Sequence, residues 1–177
     1  YDSVIKLLSI DRFKYTLDDI MIFLRHMYYP YSKRILGLFL NGLLYGEEKS
    51  QIKLKINLDF NDDHINQIFH LICISDDCLD MSNEFYNKFS YRLDINYLFN
   101  GNRLVILDAI DWNAIETVKF LLSIKDIDLN KRGNTGSMGT HDYIVCTNIT
   151  PFCFAIECEL NDIIDFFSNK YDKFNET

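Results

Sequence analysis

At 177 residues, with 18 Lys and Arg against 26 Asp and Glu for a formal charge of −8, the chain is long enough to bury a core. It is too acidic for broad affinity to nucleic acid or anionic membrane, which needs basic side chains to displace counterions. An apolar share of 48% and a charged share of 25% exclude wholesale disorder, and only 2 Pro and 7 Gly favour helices over a turn-rich β-sandwich.

In chain order, the first fifty residues read as an N-terminal helical region, 1–50. Ser3 caps a short pattern from Val4 to Ile10, and Thr16 with Asp19 forms a capping-box-like start for a helix carrying Ile20, Phe23, Leu24 and Met27. Pro30 breaks it. A third helix from about Ser32 places Ile35, Leu36, Phe39, Leu40, Leu43 and Leu44 on one face and stops near Gly46. Between 51 and 60 the period changes to two. Ile52, Leu54, Ile56, Leu58 and Phe60 alternate with polar residues, which predicts one minor extended segment. Asn61 is then a good N-cap for a helix bearing Ile65, Ile68, Phe69 and Ile72, and a further helix carries Phe85 and Phe89.

From residue 94 the chain repeats itself. Asp94-Ile95-Asn96 recurs as Asp128-Leu129-Asn130, 34 residues on (94 to 128). Between the two copies lie two short helical patterns, Leu104 to Asp111 and Ala114 to Ser123. Each is too short to bury its own apolar face, and stacking equivalent units solves that problem. Thr150-Pro151-Phe152-Cys153-Phe154-Ala155 resembles the ankyrin signature Thr-Pro-Leu-His-x-Ala. In it Thr caps an inner helix, Pro sits at the first turn where no N–H is needed, and Ala permits close packing. Asn113 to Leu122 is similar to the family's outer helix, and Glu159 to Phe167 repeats that pattern loosely. Leu104 and Val105 stand where Thr-Pro would, and the finger after Asn130 is about a dozen residues too long. The richness in Ile, Asn, Lys and Tyr is similar to that of drifted ankyrin arrays from AT-rich protist genomes. The resemblance covers about 94–170 and extends to 61–170 with a small insertion.

The expected fold is therefore all-α. An N-terminal helical bundle, 1–50, runs into divergent ankyrin-like repeats over 51–177, with a long finger loop at 131–147. The resemblance implies a module that binds a protein partner through its concave face and fingers, with Tyr97, Phe99, Asn100, Arg103, Asp108, Asp111 and Trp112 as the contact residues. It places Asp108 on the exposed face. It puts Trp112 at the end of an inner helix, either as an exposed hot spot or as a cover for the neighbouring repeat. The competing reading is a scaffold segment of a larger repeat protein with no ligand of its own.

No constellation predicts an enzyme or a cofactor. Cys73-x4-Cys78, with His70 nearby, and Cys153-x4-Cys158 are the sharpest metal patterns. On helices, however, five residues rotate by roughly 140° and the thiols diverge, so buried core thiols are expected instead of metal. Five cysteines, an odd number, predict reduced thiols in an intracellular, cytoplasmic protein. Gly133 to His141 lacks the Gly-Lys-Ser/Thr ending of a phosphate loop, and Ser137 with His141 in a polar loop makes a poor nucleophile–base pair. Asp62-Asp63 reads as charge at a helix start, and Asp76-Asp77 with Asp80 as solvated surface. The basic and aromatic run Arg25 to Arg34 reads as a helix–helix connection with its rings in the core, the alternative being a surface that stacks a base or a peptide. The chain opens at Tyr1 with no leader of signal-peptide type, and its greasiest run, Ile35 to Tyr45, falls short of the roughly 20 residues of a membrane span.

Overall fold

The computed structural model describes residues 61–136 and 145–175, and these are mostly helical. The expected helical region 1–50, the extended segment 51–60 and the Ser137–His141 pair lie outside the described residues. Helix α1 runs Asp62–Ile72, and a single 3₁₀ turn (Asp76–Cys78) leads into α2, Leu79–Phe89. A hairpin of two-residue strands follows, with β1 at Leu98–Phe99 and β2 at Arg103–Leu104. Helices α3 (Val105–Asp111) and α4 (Ile115–Ser123) come next, then α5 (Pro151–Glu157) and α6 (Asn161–Asn175).

The helices pair in sequence order, α1 with α2, α3 with α4 and α5 with α6. The pairs then layer, with α4 between α2 and α6, and α5 against α3. The reasons are local. Asn61 Oδ1 accepts the His64 N–H at 2.8 Å and caps α1, with Asp62 and Asp63 in the first turn where the helix dipole favours negative charge. Ile65, Ile68, Phe69 and Ile72, spaced three and four apart, are all buried against Phe85 and Phe89 of α2. Burial of each such side chain contributes roughly 1.5–3 kcal/mol.

The repetition seen in the sequence recurs in the backbone. At 34 residues' spacing, Asn96 N–H donates to Asp94 Oδ1 and Asn130 N–H to Asp128 Oδ1, both at 2.9 Å, so both segments form the same Asx turn. At 46 residues' spacing (109 to 155) the turns from α3 to α4 and from α5 to α6 coincide bond for bond. Ala114 N–H reaches Ala109 O at 2.9 Å and Leu160 N–H reaches Ala155 O at 3.1 Å, and both alanines are fully buried. Each turn passes through one left-handed residue, Asn113 (φ 54°) and Glu159 (φ 55°). The difference between the two spacings, twelve residues, sits inside a hairpin. Phe99 pairs with Arg103 across three residues, whereas its counterpart Gly133 pairs with Ile149 across a much longer connection.

The sequence predicts a long finger loop over 131–147, and the base of that connection is paired. Gly133 and Ile149 exchange hydrogen bonds of 3.0 and 2.9 Å, Thr135 N–H donates to Cys146 O at 3.0 Å, and Asn148 N–H donates to Asn134 Oδ1 at 2.9 Å. Thr135 is buried with its hydroxyl accepting the Cys146 N–H at 2.9 Å, so side-chain caps close the strands that the polar sequence disguised.

Candidate functional site

The short hairpin and the base of the long one form a continuous edge beside the N-terminal end of α3. Asn134 N–H donates to Asn102 O at 2.6 Å. Gly133 permits the contact, because a Cβ there would meet Leu107 Cδ1 at 2.9 Å and Asn102 O at 3.0 Å. At the tip, Asn100 and Gly101 take left-handed conformations (φ 51° and 79°) and, with Asn102, are exposed. Behind the edge a ladder ties successive units. Asn96 accepts the Asp128 N–H at 2.8 Å and donates to Asp126 O at 2.8 Å, and Lys131 Nζ reaches Asn96 O at 2.6 Å.

Of the seven expected contact residues, four reach the surface and three do not. Asn100 is exposed. Tyr97 is half-buried, its hydroxyl donating to Asp63 at the start of α1. Arg103 is half-buried and Trp112 partly exposed. Phe99 is buried, stacked on the His70 ring with centroids 4.6 Å apart. Asp108, expected on the exposed face, is only 1% exposed, and Asp111 is fully buried.

Asp108 is inside because it has two cationic or donor partners. Arg103 approaches bidentately, Nη2 at 2.7 Å from Oδ2 and Nε at 3.1 Å from Oδ1, and His70 Nε2 from α1 completes the group on Oδ2. A carboxylate can leave water when a guanidinium fork and a ring N–H replace its hydration. The His70 Nδ1 is buried and makes no hydrogen bond among the described residues. This places the proton on Nε2, since a bare lone pair is the cheaper atom to bury. The guanidinium also lies under the long hairpin, where a Cβ on Gly136 would meet Arg103 Nη2 at 2.8 Å. One cluster therefore ties α1, α3 and both hairpins together. Sequence reading missed His70 in this role. The usable signal was its place on the apolar face of α1, where an unpaired polar ring would be costly.

Two further readings are corrected. Asp76, expected as solvated surface, is half-buried and accepts the N–H groups of Thr117 (2.7 Å) and Glu116 (3.2 Å), capping α4 from the neighbouring pair. Cys73 and Cys78 do not diverge on one helix. They flank the α1–α2 turn and are both buried in the same core, and burial pushes the Cys73 thiol well above its ordinary range. Cys153 and Cys158 do separate, the first exposed on α5 and the second buried at its end. All five cysteines are free thiols. Among the described residues no group of three or more His, Cys, Asp or Glu is arranged to hold a metal ion, and no helix is long and apolar enough to cross a membrane.

Trp112 ends α3 at the pole away from the hairpins, about 10 Å along the helix. It faces the α1–α2 turn across an open groove of about 220 Å³ between residues 74–77 and 112–114. No protein-family model, no curated protein and no solved structure matches this chain.

Proposed function

We propose that the chain is a non-enzymatic protein-recognition module of the ankyrin type, and that it reads a protein partner with the edge made by its two hairpins. The observation that carries this reading is the abutment of Asn102 on Asn134. It brings exposed Asn102 against half-buried Asn134, with exposed Asn100 and Arg132 each two residues away along the chain. Loops held by a scaffold are where recognition concentrates, and rigid presentation lowers the entropy lost on binding. Asn113, left-handed at the position where the family's outer helix begins with Gly, supports the ankyrin assignment. The surface contacts of the earlier set reduce to Tyr97, Asn100, Arg103 and Trp112. Free thiols throughout support a reducing compartment, the cytoplasm.

The scaffold reading draws support from one specific finding. Phe99, Asp108 and Asp111 are spent inside the core, so α3 itself offers little to a partner. A photo-reactive residue at Asn102, with one at exposed Glu84 on α2 as control, separates the two readings. Recognition expects a protein cross-linked from position 102 and not from 84, whose measured affinity drops on Asn100→Ala with Asn102→Ala. Equal cross-linking from both positions, or an unchanged affinity, favours the scaffold.

A further inference from the structure

Carried 46 residues on, a buried side of α3 becomes an open side of α5. Leu107, Ile110 and Asp111 are fully buried, whereas their counterparts Cys153, Ile156 and Glu157 are exposed, Ile156 to 47%. Phe154 and Ala155 fasten α5 to the fold and are fully buried. Ile156 lies about 200° round the helix from Phe154, so it points away from that packing. Cys153 and half-buried Phe152 are its neighbours three and four positions back, which makes the open side apolar at its centre.

The surroundings are acidic. Every charged residue from 151 to 169 is an aspartate or a glutamate, and Glu157, Glu159, Asp162 and Asp165 are all exposed. Inside the fold, Lys119 of α4 reaches across to the next pair, its Nζ 6.0 Å from the centroid of the Phe166 ring. The counterpart of Lys119 on α6 is Asp165, so a cation at this place has to come from whatever packs there. A second copy of the chain docked by the same side would set these carboxylates against their own kind, and the charge of −8 opposes its approach. The side that α3 buries is covered in part by a helix, α5. An apolar centre flanked by acids is therefore complementary to a helix with one apolar face and Lys or Arg beside it.

We propose that this open side of α5 and α6 docks a basic amphipathic helix of a partner protein, its apolar face on Ile156 and Cys153 and its cations beside Glu157 and Asp165. These residues are not those of the hairpin edge, and the proposal stands whether or not that edge recognises a protein.

Of the five cysteines only Cys153 is exposed, so its alkylation by N-ethylmaleimide, mapped by mass spectrometry, reports on this side directly. The test adds to the intact chain a peptide of the heptad Leu-Lys-Lys-Leu-Leu-Lys-Leu repeated twice, or the same peptide with glutamate for lysine. The lysine peptide is expected to slow Cys153 alkylation saturably and the glutamate peptide to leave it unchanged. Ile156→Lys should raise the half-saturating concentration about tenfold, and Glu157→Gln with Asp165→Asn about threefold. Rates with and without peptide are compared within each variant, and helical circular dichroism matching the wild type shows that it is folded. A cysteine placed at the exposed Tyr91, after α2, is the control for indiscriminate coating of an acidic chain. No slowing at Cys153, equal slowing by the glutamate peptide, equal slowing at Tyr91→Cys, or an Ile156→Lys titration equal to the wild type overturns the proposal. So does protection of Cys153 that grows with the concentration of the chain alone, which would place a second copy on this side.

Discussion

Helices α3 and α5 occupy the same place in consecutive pairs and are built in opposite ways. All seven residues of α3 are buried, yet it starts at Leu104 with no side-chain cap. Only Pro151, Phe154 and Ala155 of α5 are buried, yet it carries the Thr150 cap, with Cys153 N–H donating to Thr150 Oγ1 at 3.4 Å, and Pro at its first turn. Capping and a pre-set φ supply from local sequence what α3 obtains from neighbours on every side. The recognisable motif therefore marks the less supported helix, and the helix without it is the one the fold leans on.

The largest effect expected from that contrast is at Asp108. Asp108→Ala leaves Arg103 and His70 facing each other without the carboxylate, which should cost about 3–5 kcal/mol in a urea melt. A loss under about 0.5 kcal/mol would mean that the cluster is not closed in solution. Next come the isoleucines at matched positions. Ile110 is fully buried and Ile156 is 47% exposed, so Ile110→Ala should cost about 2–5 kcal/mol and Ile156→Ala less than about 1 kcal/mol. Equal losses would erase the distinction between the two helices.

Overpacking comes third. Ala109→Leu and Ala155→Leu, at two fully buried seams, should each cost about 1–3 kcal/mol, with α5 the more able to shift and so the lesser loss. The cap is smaller still. Thr150→Ala should lower stability by about 1 kcal/mol, and the same melts measure it. The smallest effect has the opposite sign. Glu159 holds a left-handed conformation that Asn113 holds at lower cost, and Glu159→Gly should stabilise by up to about 1 kcal/mol. Destabilisation there would mean that the Glu159 side chain does more than turn the chain.

The legible parts of this fold are those whose physics is local. The Asn61 and Thr150 caps, the four-residue apolar stripe of α1, the paired Asx turns and the short helices at 105–111 and 115–123 all lie within a few residues of their causes. The illegible parts join distant positions. Asp108 next to Ala109 looks like any surface acid beside a core alanine. Only His70, 38 residues away, together with Arg103, turns it inward. Asp76 looks solvated until α4 arrives 40 residues later with two bare N–H groups. The candidate edge was half legible for the same reason. The hairpin tip at Asn100 and Gly101 follows from left-handed residue types, whereas the docking of the second hairpin on it depends on Gly133, which sequence alone reads as a flexible link.

The closure of the long hairpin has a practical consequence. Its two arms are clamped at Gly133–Ile149 and again at Thr135–Cys146, one residue short of Gly136 on one side and one past Val145 on the other. A segment whose two ends are pinned this way is a natural port for grafting. A foreign peptide spliced between 136 and 145 would be displayed as a constrained loop, and because closure entropy grows only with the logarithm of length, each doubling of the insert should cost the host about 0.6 kcal/mol.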